Sequence, residues 1–463
     1  MPDDLPDHGA GEGHEARPDA TAGGSHRKSL DSMTRVVVAA SPIYGHFAPM
    51  RAVAADLVRR GHQVTVTTGS KYREAVEAVG ARFAPLLGAA DFDGDDVPAL
   101  FPEILSIAPG PEQIGFGLRH LFIDPVPDQH RTVQELLAAD DGEPVVLVHE
   151  TGFLGAWPVL LGAAGSRPSA VVGLGVVPLT ISSADTAPFG LGLPPDSSPE
   201  GQERNRAANA MVQEAVFGST QEHLVKVLAS CGATEQAPFI MDGISRLPDR
   251  FLQLSIGQLD YPRSDLPDSI RYVGALPAGS ARNSELPTWW DEVASAPRVV
   301  VVSQGTAANV DFSELVQPTL DALADLDVLV IATLGRDAES ELERVPANAR
   351  VAEFIPFDDL LPQTDVLVSN GGFGGVQQAL GHGVPMVLAG QTEDKAEVTA
   401  RAAWAGAAIN LATQRPEAQD VRAAVEKVLT EAAYRERAAE LAAKYARHDA
   451  LTAIHETVTE LGR

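Results

Sequence analysis

The segment Asn370-Gly371-Gly372-Phe373-Gly374-Gly375 places four glycines in five positions, between the apolar run Asp365 to Asn370 and a helical stretch, Val376 to Gly381. Glycines between a strand end and a helix start let backbone N–H groups approach an anion, and the helix dipole favours negative charge at that point. A phosphate is the ligand this chemistry suits. The plain alternative is a tight turn with no ligand, which does not require so many glycines. A second turn of this kind, Ser303-Gln304-Gly305-Thr306, follows the run Arg298 to Ser303. In a doubly wound sheet of order 3-2-1-4-5 the first and fourth strands are neighbours, so both turns open at the switch point and can hold one diphosphate from two sides. Neither turn has the Gly-x-Gly-x-x-Gly spacing of a dinucleotide fold, and no kinase-type phosphate loop occurs.

The first half of the chain repeats this geometry with different chemistry. His46 stands in Gly45-His46-Phe47-Ala48-Pro49, after the run Arg35 to Ala40 and ahead of a helix that Pro49 can open. The run Pro144 to Val148 ends at His149-Glu150. Neighbouring strands lie roughly 4.8 Å apart, so side chains from two strand ends can meet in one cleft. An imidazole beside a carboxylate makes a general base with an orienting acid. On spacing alone a histidine in a turn is more often structural, and that reading stands beside the catalytic one. The acidic run Asp91-Phe92-Asp93-Gly94-Asp95-Asp96 contains an Asp-x-Asp of the metal-binding sort, but it lies away from both phosphate turns and reads as a solvated loop. No Gly-x-Ser-x-Gly or His-Glu-x-x-His occurs, which removes support for a serine hydrolase or a zincin.

Two such clusters need two scaffolds, and 463 residues fit two domains of roughly 200 residues each. Apolar β-branched runs at 35–40, 63–68, 82–85, 144–148 and 170–176 alternate with helical stretches near 49–60, 71–79, 116–139 and 153–163. Continuous apolar strands between helices imply a parallel sheet covered on both faces. A second alternation has runs at 298–303, 327–334, 349–355, 365–370, 385–389 and 407–411. The fold class is α/β, two doubly wound Rossmann-like domains facing a central cleft. The expected organisation is a disordered tail over 1–33, an acceptor-binding domain over 34–276, a linker over 277–297 and a nucleotide-binding domain over 298–463, whose last helix can cross back to the first domain. The polar tail offers too little apolar surface to offset ordering entropy, its His8, His14 and His26 read as solvated, and Met33 is a candidate start. The irregular stretch 87–115 is a candidate acceptor lid.

The net charge of −28 repels nucleic acid and anionic lipid surfaces. Cys231 is the only cysteine, which excludes an internal disulfide and a thiolate zinc cluster and fits a reducing compartment. No apolar run is long enough to span a bilayer and the first thirty residues lack the pattern of a secretory leader, so a cytoplasmic location is expected. Self-association as a homodimer stays open.

These turns, together with Phe354-Ile355-Pro356, Gln378, Gly383-Val384-Pro385-Met386 and Asp394-Lys395, resemble the family-one glycosyltransferases of the GT-B fold, which include antibiotic, macrolide and UDP-sugar enzymes. The likeness runs from about Arg35 to the end of the chain, and its second half is the more specific part. It implies that Phe354 stacks on the nucleobase, with Ile355 beside it, and that Gln378 stands where an acidic residue commonly holds the ribose. Asn370 takes the place of a usual histidine at the diphosphate. Gly305, Thr306, Gly372, Gly374 and Gly375 line the nucleotide. Asp394 meets sugar hydroxyls, with Lys395 in place of a frequent glutamine, paired with Glu393 or Asp394, turned to a phosphate, or simply solvated. His46 matches the catalytic base, with Glu150 where many members have an aspartate. The implied reaction is an inverting, metal-independent transfer of a hexose, without a cofactor, from a UDP- or dTDP-sugar to a hydroxyl of a small apolar natural product. A UDP-sugar epimerase of the same fold and a non-catalytic auxiliary protein stay open as alternatives.

Overall fold

The computed structural model describes residues 33–94, 97–108, 110–138, 144–277, 286–305, 311–336 and 338–463. The expected tail up to Ser32, Thr306, Asp95 and Asp96 lie outside the described residues.

The first sheet holds β1 (Arg35–Ala39), β2 (Gln63–Thr68), β3 (Arg82–Pro85), β4 (Val145–Glu150), β5 (Ala170–Gly175), β6 (Arg250–Gln253) and β7 (Ile270–Tyr272) in the order β3-β2-β1-β4-β5-β6-β7. The second holds β8 (Val299–Ser303), β9 (Leu329–Thr333), β10 (Ala349–Ala352), β11 (Val366–Ser369), β12 (Met386–Leu388) and β13 (Ala408–Asn410) in the order β10-β9-β8-β11-β12-β13. The paired strands are parallel throughout. Every residue of β4, β5, β8, β9 and β11 is buried, as a parallel sheet covered on both faces requires. These are two doubly wound α/β halves. Each reverses its strand order beside its first strand, and the register places the chemistry there: Ala39 lies opposite His149, one residue before Glu150, and Ser303 lies opposite Ser369.

Several elements differ from the sequence reading. The helix carrying His46, α1 (Tyr44–Arg59), starts five residues ahead of Pro49, because the N–H groups of His46 and Phe47 already bond the Ile43 carbonyl. Pro49 then sits inside the helix and forgoes only the bond to the Gly45 carbonyl, in the opening turns where such a loss is tolerated. The helix after the glycine turn, α2 (Phe373–Gly381), likewise starts three residues before Val376. Helices Pro199–Ala215 and Gly218–Ser230 and the short strands β6 and β7 fill a stretch where sequence periodicity showed no element. The single helix expected over 116–139 is broken at Asp124 and Pro125 into Pro111–Gly117, a wider π turn Leu118–Ile123, and Val126–Ala138.

Two further helices matter for the site: α3 (Lys395–Trp404) after β12, and α4 (Ala450–Leu461) at the end of the chain. Ala450, Ile454 and Val458 of α4 are buried with Met50, Val53 and Leu57 of α1, so the last helix packs on the first sheet's layer. Arg60 donates to the Thr452 hydroxyl at 3.0 Å, and the His62 and His455 rings bond at 2.9 Å along the same seam. Truncating Ile454, which is 1% exposed, removes a methyl-rich plug from that seam. Ile454→Ala is expected to cost about 2–4 kcal/mol, read as a lower urea midpoint with an unchanged slope.

Candidate active site

His46 lies in the first turn of α1, at the rim of the first sheet, where its Nδ1 meets Glu150 Oε2 at 2.5 Å. Glu150 ends β4 with no exposed surface, and its remaining acceptor capacity is taken by the backbone N–H of Ser41 at 2.9 Å and by that of Gly152. Burial by itself would raise the Glu150 carboxyl, but the His46 charge and hydrogen bond, with the two backbone donors, lower it to about 2. Burial lowers His46, yet the Glu150 charge and hydrogen bond outweigh it, and Asp394 and Glu393 add to the effect, so the imidazole sits above its ordinary value. With Nδ1–H donated to a fixed carboxylate, Nε2 is the nitrogen able to accept a proton. The Phe122 ring, 5.3 Å from the imidazole, walls the pair on one side. His149 points into the sheet instead: it is 1% exposed, its Nδ1 lies 2.8 Å from the Glu150 carbonyl, and burial lowers its pKa.

On the second sheet the two turns are joined directly. The Asn370 side chain donates to the Gln304 carbonyl at 2.5 Å, and Gly305 adopts a left-handed φ of 75°. The N–H groups of Gly305 and Gly371 bond the Ser303 and Ser369 hydroxyls at 3.3 and 3.2 Å, and that of Gly372 bonds the Asn370 side chain at 3.4 Å. Gly305 and Gly372 therefore shape the turn with their N–H groups. The donors aimed outward are those of Phe373, Gly374 and Gly375, ahead of the first intrahelical bond, Val376 N–H to Gly372 carbonyl. Gly372 caps α2 with no side chain over the N-terminus, a Cβ on Gly374 would meet nothing within 4 Å, and one on Gly375 would only touch Phe357 at 3.9 Å. Gln378 stands one turn after Gly374 on the same face. Phe354 is 51% exposed, as a ring offered for stacking should be. The Ile355 side chain lies in the core at 1% exposure, because alternate residues past β10 point to opposite sides, which leaves its main chain for any contact with a ligand.

Asp394 is the N-terminal cap residue of α3, and Lys395 behind it is buried and paired with Glu393, which removes the solvated reading of that lysine. Glu393 has φ of 55°, an uncommon conformation for a residue with a side chain. Burial, with the neighbouring Glu393 charge, pushes the Asp394 carboxyl up to about 6 although Lys395 and His46 pull it down. Glu397 of α3 bonds the backbone N–H groups of Gly190 and Gly192 in the first half, which brings the start of this helix toward the His46–Glu150 pair, in keeping with the upward pull of Asp394 and Glu393 on His46. The sequence reading named Glu393 only as a partner for Lys395, a pairing the structure shows, and did not single out Phe122 or the backbone donors Ser41 and Gly152; only the glycine following a strand end was a usable signal for the last. The acidic loop is structural where it is described: Asp91 accepts from Ser70 at 2.7 Å and Asp93 pairs with Lys71 at 2.5 Å. Among the described residues no group of three or more His, Cys, Asp or Glu side chains is arranged to hold a metal ion.

A family described as erythromycin biosynthesis protein CIII-like, C-terminal domain, matches residues 317–461. The chain is 47% identical over 435 residues to UDP-glycosyltransferase 2 of Phaeomoniella chlamydospora, covering 92% of this chain and 95% of that one. It is 40% identical over 418 residues to 4'-demethylrebeccamycin synthase of Lentzea aerocolonigenes, covering 90% and 97%. The crystal structure of the glycotransferase of kitacinnamycin superposes with a TM-score of 0.69 over 93% of this chain and 99% of that one at 20% identity, a likeness of fold.

The geometry predicts how His46 titrates. Replacing Glu150 by Gln removes the charge that outweighs burial, so the imidazole pKa in Glu150→Gln should fall below that of the wild type, as followed by NMR of the ring protons. An unchanged midpoint would mean that the pair is not coupled in solution.

Proposed function

The chain belongs to the GT-B glycosyltransferases that include the UDP-glycosyltransferases and antibiotic glycosyltransferases, and from that premise we propose an inverting, metal-independent hexose transfer from a UDP- or dTDP-sugar to a hydroxyl of a small apolar natural product. The observation that carries this reading is the His46–Glu150 pair facing, across one cleft, the start of α3 on the half that also holds an open helix N-terminus.

In this reading His46 Nε2 removes the acceptor proton, and Glu150 holds the imidazole in that tautomer and stabilises the imidazolium. The acceptor oxygen attacks the anomeric carbon from the side opposite the diphosphate, which inverts that centre in one displacement. The leaving diphosphate collects negative charge. Phe373, Gly374 and Gly375 would offer it backbone donors at the positive end of α2, and Lys395 heads the neighbouring helix, its carbonyl 3.9 Å from a Cβ placed on Gly371, so the chain's own groups would take up that charge without a metal. Phe354 would stack on the base and Gln378 would hold the ribose. Asp394 would accept from ring hydroxyls of a hexose. A cytoplasmic site of action and the absence of a cofactor belong to the same proposal.

His46→Ala should lower transfer by about 10² or more while leaving UDP affinity intact, since a lost general base is worth that scale. The sign of the pH effect follows from the raised imidazole pKa. The base works only when neutral, so kcat/KM should fall as pH drops through a value above 6.5. Turnover near wild type in His46→Ala, read by mass spectrometry of the glycosylated acceptor, would defeat the assignment.

The sugar role of Asp394 is tested by donor competition among UDP-glucose, dTDP-glucose and dTDP-deoxysugars. A carboxylate accepting from two hydroxyls contributes roughly 1.5–3 kcal/mol per bond, so Asp394→Ala should weaken hydroxylated donors by tenfold or more and erase the preference. If a deoxysugar is the best donor and Asp394→Ala leaves the ranking unchanged, Asp394 does not read the sugar.

A further inference from the structure

A buried cluster of charges joins the two halves at the helix that carries Asp394. From α3, Glu397 Oε1 accepts the backbone N–H groups of Gly190 and Gly192 at 2.7 and 2.9 Å, both in the loop after β5 of the first half. Arg401, one turn further, pairs with Glu397, donates to Asp260 Oδ1 at 2.9 Å and to the Leu179 carbonyl at 3.2 Å, and lies over the Tyr261 ring at 4.7 Å. Asp260 is held in turn by Arg263 at 2.9 Å and by the Tyr272 hydroxyl at 2.5 Å. The side chains of Glu397, Arg401, Asp260 and Arg263 are at most 6% exposed.

Such a cluster is a poor device for stability alone, because desolvating four charges offsets most of their attraction and apolar side chains of like size would serve as well. What it provides is a single allowed register. Glu397 is one helical turn from Asp394, and a helix transmits position rigidly along its axis. The loop it grips also reaches the other wall of the cleft: a Cβ on Gly190 would lie 2.8 Å from Ile114, whose helix Pro111–Gly117 runs on through Leu118–Ile123 to Phe122, beside His46. One loop therefore touches both the support of the sugar-facing residues and the support of the base.

We propose that Glu397 and Arg401 are positioning residues for the transfer, a clasp between the halves that fixes Asp394 and Lys395 opposite His46. The proposal rests on the roles given above to His46 and Asp394. What it sets is the distance between the halves; α3 keeps its own packing on the second half, where a Cβ on Gly371 of the diphosphate turn would run into the Thr399 side chain and lie 3.9 Å from the Lys395 carbonyl.

Two variants loosen the clasp differently. Glu397→Gln keeps the size and one acceptor oxygen but removes the charge. Gly192→Ala keeps every charge and inserts a methyl 2.8 Å from the Ala396 carbonyl of α3, at a φ of 60° that disfavours a side chain. For both, with His46→Ala beside them, kcat, the donor and acceptor KM, UDP affinity by calorimetry and the melting temperature are measured on the full chain. The expected result is a fall in kcat of about tenfold to a hundredfold, the scale of an ångström-sized misplacement, with UDP affinity within about twofold of wild type. If Gly192→Ala melts lower but keeps wild-type kcat, the clasp only stabilises and the proposal falls; equal losses in UDP affinity and kcat also overturn it. Should Glu397→Gln fail to fold, Gly192→Ala decides alone. Wild-type turnover in His46→Ala sinks the underlying reading separately, whatever the clasp variants do.

Discussion

A carboxylate with no exposed surface cannot remain ionised unless its acceptor sites are filled, and Glu150 has them filled by His46, Ser41 and Gly152. That one requirement organises the first half of the molecule. The two backbone donors come from the segments that leave β1 and β4, so the carboxylate fastens two strand ends to each other and to the first turn of α1. The histidine is oriented by the same contacts. A shorter acidic side chain at this position would have to reach the same three donors from further back, whereas the extra methylene of Glu150 lets it span them from the buried end of β4.

Parallel register then does the rest. Strand ends one and four of each half are adjacent, and the loops that leave them open on one side. The first half spends that position on a proton acceptor. The second spends it on backbone donors at the start of α2, with Asn370 bracing the neighbouring turn through the Gln304 carbonyl. The same topology thus serves two chemistries because only the residues immediately past the strands differ.

These features were readable from sequence for physical reasons. Runs such as Val299–Ser303 are apolar at successive positions and bounded by glycine, which a doubly covered parallel strand demands, and the order of the strands followed from the alternation with helices. The His46–Glu150 pairing followed from strand adjacency. Helix starts were less legible: Pro49 suggested a first helical residue, but a proline can also sit beyond the opening turn, and here the helix was already under way at Tyr44. Which part of Ile355 is available to a ligand was not legible either: neighbours in extended chain point opposite ways, so beside the exposed Phe354 ring its side chain turns into the core. The strands β6 and β7 were missed because Arg250, Gln253 and Arg271 interrupt them, so they lack the continuous apolar run that marks strands as short as β12.

The clasp was the least legible part, and its invisibility is instructive. Glu397 and Arg401 stand four apart on a helix, a spacing that ordinarily marks a solvated surface pair worth little. What changes their meaning is Asp260, 141 residues earlier, and two glycine N–H groups more than 200 residues earlier. No local pattern encodes those partners. A chain with a net charge of −28 also gains nothing from long-range attraction toward an anionic donor, so its recognition of one has to come from short-range, fixed donors. Fixed donors are useful only if the two halves hold a set distance, and a buried, directional cluster defines such a distance more sharply than an apolar contact that can slide.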